Sequence, residues 1–406
     1  MSPSISFLTH SAPAPGISGD RIRVFHLMRE LTTRGWSVRL WSLVGPDDPP
    51  GSLEALQSVT DEVVVVPRGI SQRRRVARLA VDTVTRQAFQ ANWFRSRDTA
   101  RSAAAWLANG PADPIVVEQL YMCSFVPASE WGRMVLDTHN HETARIRSMA
   151  TGEGGFGRRL AARLQLGPVE RYERMALTRA ARVLAVSQAE AQAFETIAPG
   201  RVRLIPNGVD VEGIMPLVRP TKSRQLLYLG SLGYGANADA VRHFADDIAP
   251  RLVQSGTTLL VVGGGGGATV LDAARRSAIS ITVAGFVPDL EPVFRASRVM
   301  VVPLRHGGGT RLKILEALAW GLPVVATSIG AAGLGLVDGI HALIADEPGA
   351  FATGIDRLLN DDALWATLSA NGRAFVEERF GWNRIGEELD RVMRDVVTGI
   401  QAAAPR

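Results

Sequence analysis

Along nearly the whole chain, thirteen short runs rich in Val, Ile and Leu alternate with stretches of helical periodicity. They fall at 5–9, 38–43, 62–66, 115–118, 134–137, 183–186 and 202–205, then at 226–229, 259–262, 281–284, 299–302, 324–326 and 343–344. Alternation of this kind suits strands covered by helices on both faces, the arrangement of parallel sheets. The series is interrupted at 206–224, where proline and glycine gather near both ends and no periodicity survives. A chain of 406 residues is too long for one ordinary core. We therefore expect an α/β protein of two Rossmann-like domains, 1–208 and 224–381, joined by a linker at 209–223. Residues 382–406 form a last helix, with Trp382, Ile385, Leu389, Val392 and Val396 on one face.

Composition narrows the class. Apolar residues make up 46% of the chain, in runs far shorter than the roughly 20 residues a membrane span requires. No basic region followed by an apolar stretch opens the sequence, so no secretory leader is expected. The single cysteine, Cys123, excludes an intrachain disulfide and fits a reducing cytoplasm. The arginine bias, with abundant Ala and Gly, points to a GC-rich bacterial genome.

The segment 306–327 carries the most chemistry. Gly307, Gly308 and Gly309 lead through Thr310 and Arg311 into a helix-like run holding Lys313 and Glu316. Such a turn allows close backbone approach, and a helix N-terminus offers N–H groups to an anion. Thr310 is placed to cap the helix. Only two lysines, Lys222 and Lys313, stand among 45 basic residues, so a lysine in the first helical turn is no routine surface choice. Glu316 follows three residues on and shares its face. Phosphate donors with a carboxylate just beyond suit a nucleoside diphosphate, Glu316 accepting from ribose hydroxyls. The plainer alternative is a tightly packed strand–turn–helix.

At this point the chain resembles the retaining GT-B glycosyltransferases of family 4, also called glycosyl transferases group 1. The resemblance rests on the 306–327 segment, on Ile205-Pro206-Asn207-Gly208-Val209-Asp210, on Leu229-Gly230-Ser231-Leu232 and on Ala185-Val186-Ser187. It covers most of the C-terminal half, and only vaguely the first 110 residues. It implies two Rossmann-like domains facing across a cleft, the last helix crossing back to the first domain. The implied activity is transfer of a sugar from a nucleotide diphosphate sugar to an acceptor hydroxyl with retention of configuration. The family's two glutamates lie eight positions apart; Glu316 matches the second, but Gly308 stands where the first would be. Sugar recognition then falls on other groups, such as the backbone amides of Gly307 to Thr310. The turn at Gly230 lacks the family's Arg and Lys-Gly pair, which throws diphosphate charge onto Arg311 and Lys313. Phe286 and Val287 stand where family members bind the base edge through backbone groups.

In the first domain, His139 follows a strand, and the resemblance puts a histidine there beside the sugar. Satisfaction by local backbone is the alternative. His139 and His141 point to opposite sides, which disfavours a metal pair. The chain contains no Asp-x-Asp, so no metal or other cofactor is expected, and Arg311 and Lys313 neutralise the leaving group. Gly16, Gly19 and Asp20 form a loop for acceptor or sugar, unless Asp20 merely caps the following helix. The glycines at 263–267 look like a dinucleotide fingerprint but lack its acidic partner, so a structural turn is expected. Ser187 with Glu190 reads as a capping box, not a nucleophile.

Residues 70–101 concentrate arginine, with Phe89, Trp93 and Phe94 interleaved. Two readings stand: a peripheral contact with the inner, anionic membrane face, or a solvated basic helix pair with its aromatics in the core. No recognition motif points to nucleic acid. Other functions compatible with this architecture are a catalytically silent partner subunit and a nucleotide-sugar epimerase.

Overall fold

The structure, a computed structural model, describes residues 2–14, 19–45, 48, 51–68, 72–151, 155–217, 223–307 and 311–403. By contact the chain divides into two compact units, Met1–Pro206 with Ile385–Arg406, and Asn207–Arg384. Of the expected linker, 218–222 lies outside the described residues.

Unit 1 is built on a seven-stranded sheet: β1 (Ser4–Thr9), β2 (Ser37–Val44), β3 (Glu62–Pro67), β4 (Ile115–Glu118), β5 (Met134–Asp137), β6 (Arg182–Ala185) and β7 (Val202–Leu204). Every pairing is parallel and the order is β3-β2-β1-β4-β5-β6-β7. Unit 2 has six strands: β8 (Gln225–Leu229), β9 (Thr258–Val262), β10 (Ser280–Gly285), β11 (Val299–Val302), β12 (Val324–Ala326) and β13 (Leu343–Ile344). Their order is β10-β9-β8-β11-β12-β13, again all parallel. All thirteen expected strands are present, making two Rossmann-like sheets. Central strands such as β4, β5 and β11 are buried along their whole length, which is why they read as apolar runs, with buried acids only at the ends of β4 and β5. Strand order reverses between β1 and β4 in unit 1, and between β8 and β11 in unit 2. Ligands of open parallel sheets bind beyond the carboxyl ends of such strand pairs.

Six helices frame the sites and the surface of the two units: α1 (Gly19–Thr33), α2 (Gln72–Val84), α3 (Phe156–Arg179), α4 (Gly235–His243), α5 (Leu312–Ala319) and α6 (Trp382–Ala403). From Ile385 onward α6 belongs to unit 1. There Leu389, Val392 and Val396 are buried, and Trp36 Nε1 donates to Asp390 Oδ1 at 2.6 Å. A Cβ on Gly386 would lie 2.7 Å from Glu30 Cβ, so only glycine allows α6 this close to α1. Two helix starts differ from expectation. Helix α5 opens at Leu312 with Arg311 in the N-cap position, and Thr310 lies outside the described residues. Helix α1 already includes Gly19, so Asp20 sits in the first turn and does not cap it. Ser187 does cap its helix, its hydroxyl accepting from Glu190 N, while Glu190 turns instead to His141 N.

The interleaved aromatics of 70–101 point inward. Phe94 is buried, and Phe89 and Trp93 are half-buried against the core. Arg75 lies over the Phe94 ring at 4.9 Å, and Arg78 donates to Arg95 O at 2.6 Å. Among the described residues no helix is long and apolar enough to cross a membrane.

Candidate functional sites

In unit 2 the segments following β8 and β9 and the end of β10 are laced together at the carboxyl edge of the sheet. Gly230 N donates to Val262 O at 2.9 Å, Leu232 N to Gly264 O at 2.7 Å, and Gly263 N to Gly285 O at 2.7 Å. Gly263 has φ +147°, and a Cβ there would stand 2.0 Å from Gly230 O. The glycine run at 263–267 thus lets one loop press on another, in keeping with a structural turn.

Lys313 is the hub of this edge. Its Nζ donates to Asn237 Oδ1 at 3.1 Å and to Tyr228 Oη at 3.4 Å, and lies 4.4 Å from the centroid of the Tyr228 ring. Tyr228 Oη donates to the same Asn237 oxygen at 2.8 Å, while Asn237 Nδ2 donates to Ser231 O at 2.9 Å. Gly230 passes so close that a Cβ would be 2.7 Å from Lys313 Nζ. Burial, reinforced by the Arg311 charge, lowers the Lys313 pKa to about 7. Burial raises that of Glu316 to about 7, against the pull of Lys313. An ammonium and a carboxyl held this way lack a strong counter-charge, the condition in which an arriving anion and hydroxyls gain most.

Arg311 is buried and ties Gly307 to the segment after β12, its Nη2 donating to Gly307 O at 2.8 Å and Ile329 O at 3.2 Å. Burial lowers its pKa as well. Gly307, with φ +112°, lies against α4: a Cβ there would be 3.0 Å from Ala236 Cβ and 3.2 Å from Tyr234 Oη. Asp239 of α4 grips Arg305 with both oxygens, at 2.6 and 3.0 Å, and so fixes the residues entering the turn. Gly307 therefore adjoins the first turn of α4, and Lys313 in the first turn of α5 reaches Asn237 in that of α4, so two helix N-termini lie close together. Gly308 and Gly309, like Thr310, lie outside the described residues. Phe286 is exposed, whereas Val287 packs on the core.

In unit 1 the expected His139 is already engaged at both ring nitrogens. Nε2 lies 3.2 Å from Asp137 Oδ2 and Nδ1 lies 3.0 Å from the Gln119 amide nitrogen. Donation from Nε2–H to Asp137 and acceptance at Nδ1 from Gln119 satisfy both contacts with one tautomer. Asp137 is buried and paired with buried Arg23 of α1 at 2.7 Å. Burial raises the Asp137 pKa, but Arg23 and His139 outweigh it and hold the carboxyl at about 2. The adjoining cavity, about 10 Å³ and lined by Gln119, Thr138, His139 and Asn140 among others, has room for one water as it stands. Gln119 has φ +60°, a strained value for a residue with a side chain.

Two residues that sequence reasoning missed stand at the strand-order reversal. His10 follows β1 and Glu118 ends β4. Glu118 Oε2 accepts from His10 N at 3.0 Å and faces His10 Nδ1 at 2.9 Å, and Glu118 is almost fully buried. His10 Nε2 then faces Asp20 Oδ2 at 3.7 Å. Burial lowers the His10 pKa, but Glu118 and Asp20 overcome it and raise it, against Arg68. The ligating atoms of His10, Asp20 and Glu118 lie within 4.8 Å of one another, a composition that suits a cation. The Glu118 oxygen is already met by two N–H groups, which suits an acid-oriented imidazole better. Gly19 and Asp20 are half-buried beside this pair, and Gly16 lies outside the described residues.

Two families match the chain: Glycosyltransferase Family 4 over residues 17–212, and Glycosyl transferases group 1 over 223–361. A D-inositol 3-phosphate glycosyltransferase of Acidothermus cellulolyticus is 28% identical over 306 residues, 69% of this chain and 66% of that protein. A phosphatidyl-myo-inositol mannosyltransferase of Mycobacterium tuberculosis is 30% identical over 47% of this chain and 53% of its own. The chain thus spans about half to two thirds of these relatives. In fold it is similar to sucrose-phosphate synthase from Thermosynechococcus elongatus, with TM-score 0.69 and 20% identity over 98% of this chain and 100% of that one. It is also similar to Anabaena HepE in complex with UDP and glucose, with TM-score 0.64 and 16% identity over 97% and 100%.

Proposed function

The chain belongs to the GT-B glycosyltransferases, and on that premise we propose that it moves a sugar from a nucleotide diphosphate sugar to an acceptor hydroxyl, with retention of anomeric configuration. The observation that carries this reading is Lys313, held half-buried among neutral partners where two helix N-termini meet. HepE, similar in fold, is in complex with UDP, which supports a nucleotide donor. Lys313 and the amides of the glycine turn receive the diphosphate, Arg311 keeps that turn in shape and adds positive charge, and Glu316 accepts from the ribose. The loop at Phe286 and Val287, of which Phe286 is exposed, meets the base. No metal is needed in this scheme, because the cations are supplied by side chains.

In the reaction the bond from the anomeric carbon to the diphosphate breaks, and its electron pair leaves with the nucleotide. The acceptor oxygen bonds to that carbon on the same face, and its proton passes to the departing phosphate oxygen. Unit 1 holds the acceptor. Asp20 accepts from its hydroxyls beside His10 Nε2, next to Gly19 at the start of α1. His139 reaches the sugar by exchanging its Gln119 partner. A relative named for inositol phosphate and another for phosphatidyl-inositol favour a polyol acceptor. Nucleotide supply and the buried lone cysteine suit a cytoplasmic setting.

Calorimetric titration with UDP, GDP and dTDP tests the donor site. Saturable binding of one of them, weakened about tenfold in Glu316→Gln, is expected. Failure of all three to bind would sink the reading. Formation of an epimer from the donor alone would replace it with isomerase chemistry.

A further inference from the structure

Helix α2 turns its apolar face outward. Val76, Val81 and Val84 are 61%, 58% and 84% exposed, with Ala77 and Ala80 exposed between them. The polar side chains that such a helix would normally show to water are turned in: Arg75 and Arg78 go to the core loops, and Asp82 is buried and accepts from Asn92. Helix α3 repeats the pattern. Phe156, Leu160 and Leu164 recur every four residues, 74%, 44% and 53% exposed. The two helices pack together through Gln165 Nε2 donating to Thr83 Oγ1 at 3.0 Å and Arg171 Nη2 donating to Arg86 O at 3.3 Å.

Exposed apolar stripes of this size mark a contact surface. The charge beside them says what kind. Arg73 and Arg74 stand exposed on the first turns of α2, and Arg158 and Arg163 on α3. Within 73–86 the sole acid is the buried Asp82, and 155–169 contains none. We infer that the outward faces of α2 and α3 seat on a bilayer surface bearing anionic phosphate headgroups, the aliphatic stripes entering the headgroup boundary and the arginines meeting the phosphates. A second copy of the chain is disfavoured on the same ground, since two arginine-rimmed faces repel each other. An interfacial helix needs apolar area and cationic flanks together, and both helices supply them. The inference rests on unit 1 alone and is independent of sugar transfer.

The test is co-sedimentation of the whole chain with vesicles of phosphatidylcholine, or of equal parts phosphatidylcholine and phosphatidylglycerol. Binding to the anionic vesicles, about tenfold or more above the neutral ones and reduced by salt, is expected. Val81→Glu combined with Leu160→Glu should cut that binding about tenfold, with an unchanged thermal midpoint and UDP titration. Equal binding to both vesicle types, no binding to either, or a variant that binds like the parent would overturn the inference. So would a dimer in sedimentation equilibrium that the double variant dissolves.

Discussion

Lys313 lies with its ammonium 4.4 Å from the centre of the Tyr228 ring and makes its shortest hydrogen bond, 3.1 Å, to the neutral amide oxygen of Asn237. A cation held by a ring face and an amide keeps much of its electrostatic reach for a ligand. Its pKa of about 7, set by burial, makes nucleotide binding pH-dependent. The protonated form binds diphosphate, so affinity falls as pH rises above about 7, by up to ~tenfold per unit. Titration of UDP across that range checks this, and Lys313→Met should bind weakly and flatten the profile. A parent profile with no slope would remove Lys313 from the phosphate site.

The contact between the loops after β8 and β9 separates two neighbouring glycines. At Gly263 a Cβ would meet Gly230 O at 2.0 Å on a backbone with φ +147°, whereas at Gly264 nothing lies within 4 Å. Gly263→Ala should destabilise unit 2 by about 3 kcal/mol or more and weaken nucleotide binding, while Gly264→Ala changes either little. Thermal unfolding of the two variants side by side decides it.

Asp137 and Arg23 form a buried ion pair, both only 1% exposed in their side chains. Removing the carboxylate leaves a buried guanidinium uncompensated, so Asp137→Asn should cost about 3–5 kcal/mol in urea unfolding. The pair also has a pH signature. A carboxyl lowered to about 2 contributes stability above the unfolded value near 4, and that contribution is lost as pH falls toward 2. About 2 kcal/mol of acid sensitivity should vanish in the variant.

His10 behaves in the opposite sense. Glu118 and Asp20 raise its pKa, so its contribution to stability is complete below the unfolded value near 6.5 and is lost as pH rises through the folded one. In Glu118→Gln the His10 titration, followed by imidazole NMR, should move down, because burial then faces less opposing charge. If His10 orients the acceptor, turnover should fall about ten- to a hundredfold while UDP affinity holds. An unmoved His10 titration would show that the 2.9 Å contact does not set its protonation.

The central strands were legible because strands covered on both faces are almost wholly apolar, and the edge strands β3 and β10 were legible from their β-branched runs although neither is buried. The shared helix of Lys313 and Glu316 was legible from spacing. The partners of Lys313 were not. Tyr228 sits inside an apolar strand run and Asn237 inside a helix, and only the carboxyl edge of the sheet joins them to a residue some eighty positions away. The pairing of His10 with Glu118 was hidden for the same reason, since it exists only once β1 and β4 are neighbours. The exposed stripe of α2 was legible only in part. Its arginines were visible, but which of them turn inward depends on Phe94 and Asn92 packing beneath.

Helix α6 returns to unit 1 only after all of Asn207–Arg384 has intervened. A ribosome therefore releases unit 2 in full before Leu389 and Asp390 emerge to meet Trp36 and the α1 surface. During synthesis the first-made half waits for the last-made residues. A chain halted near Arg384 leaves its amino-terminal half with an uncovered flank.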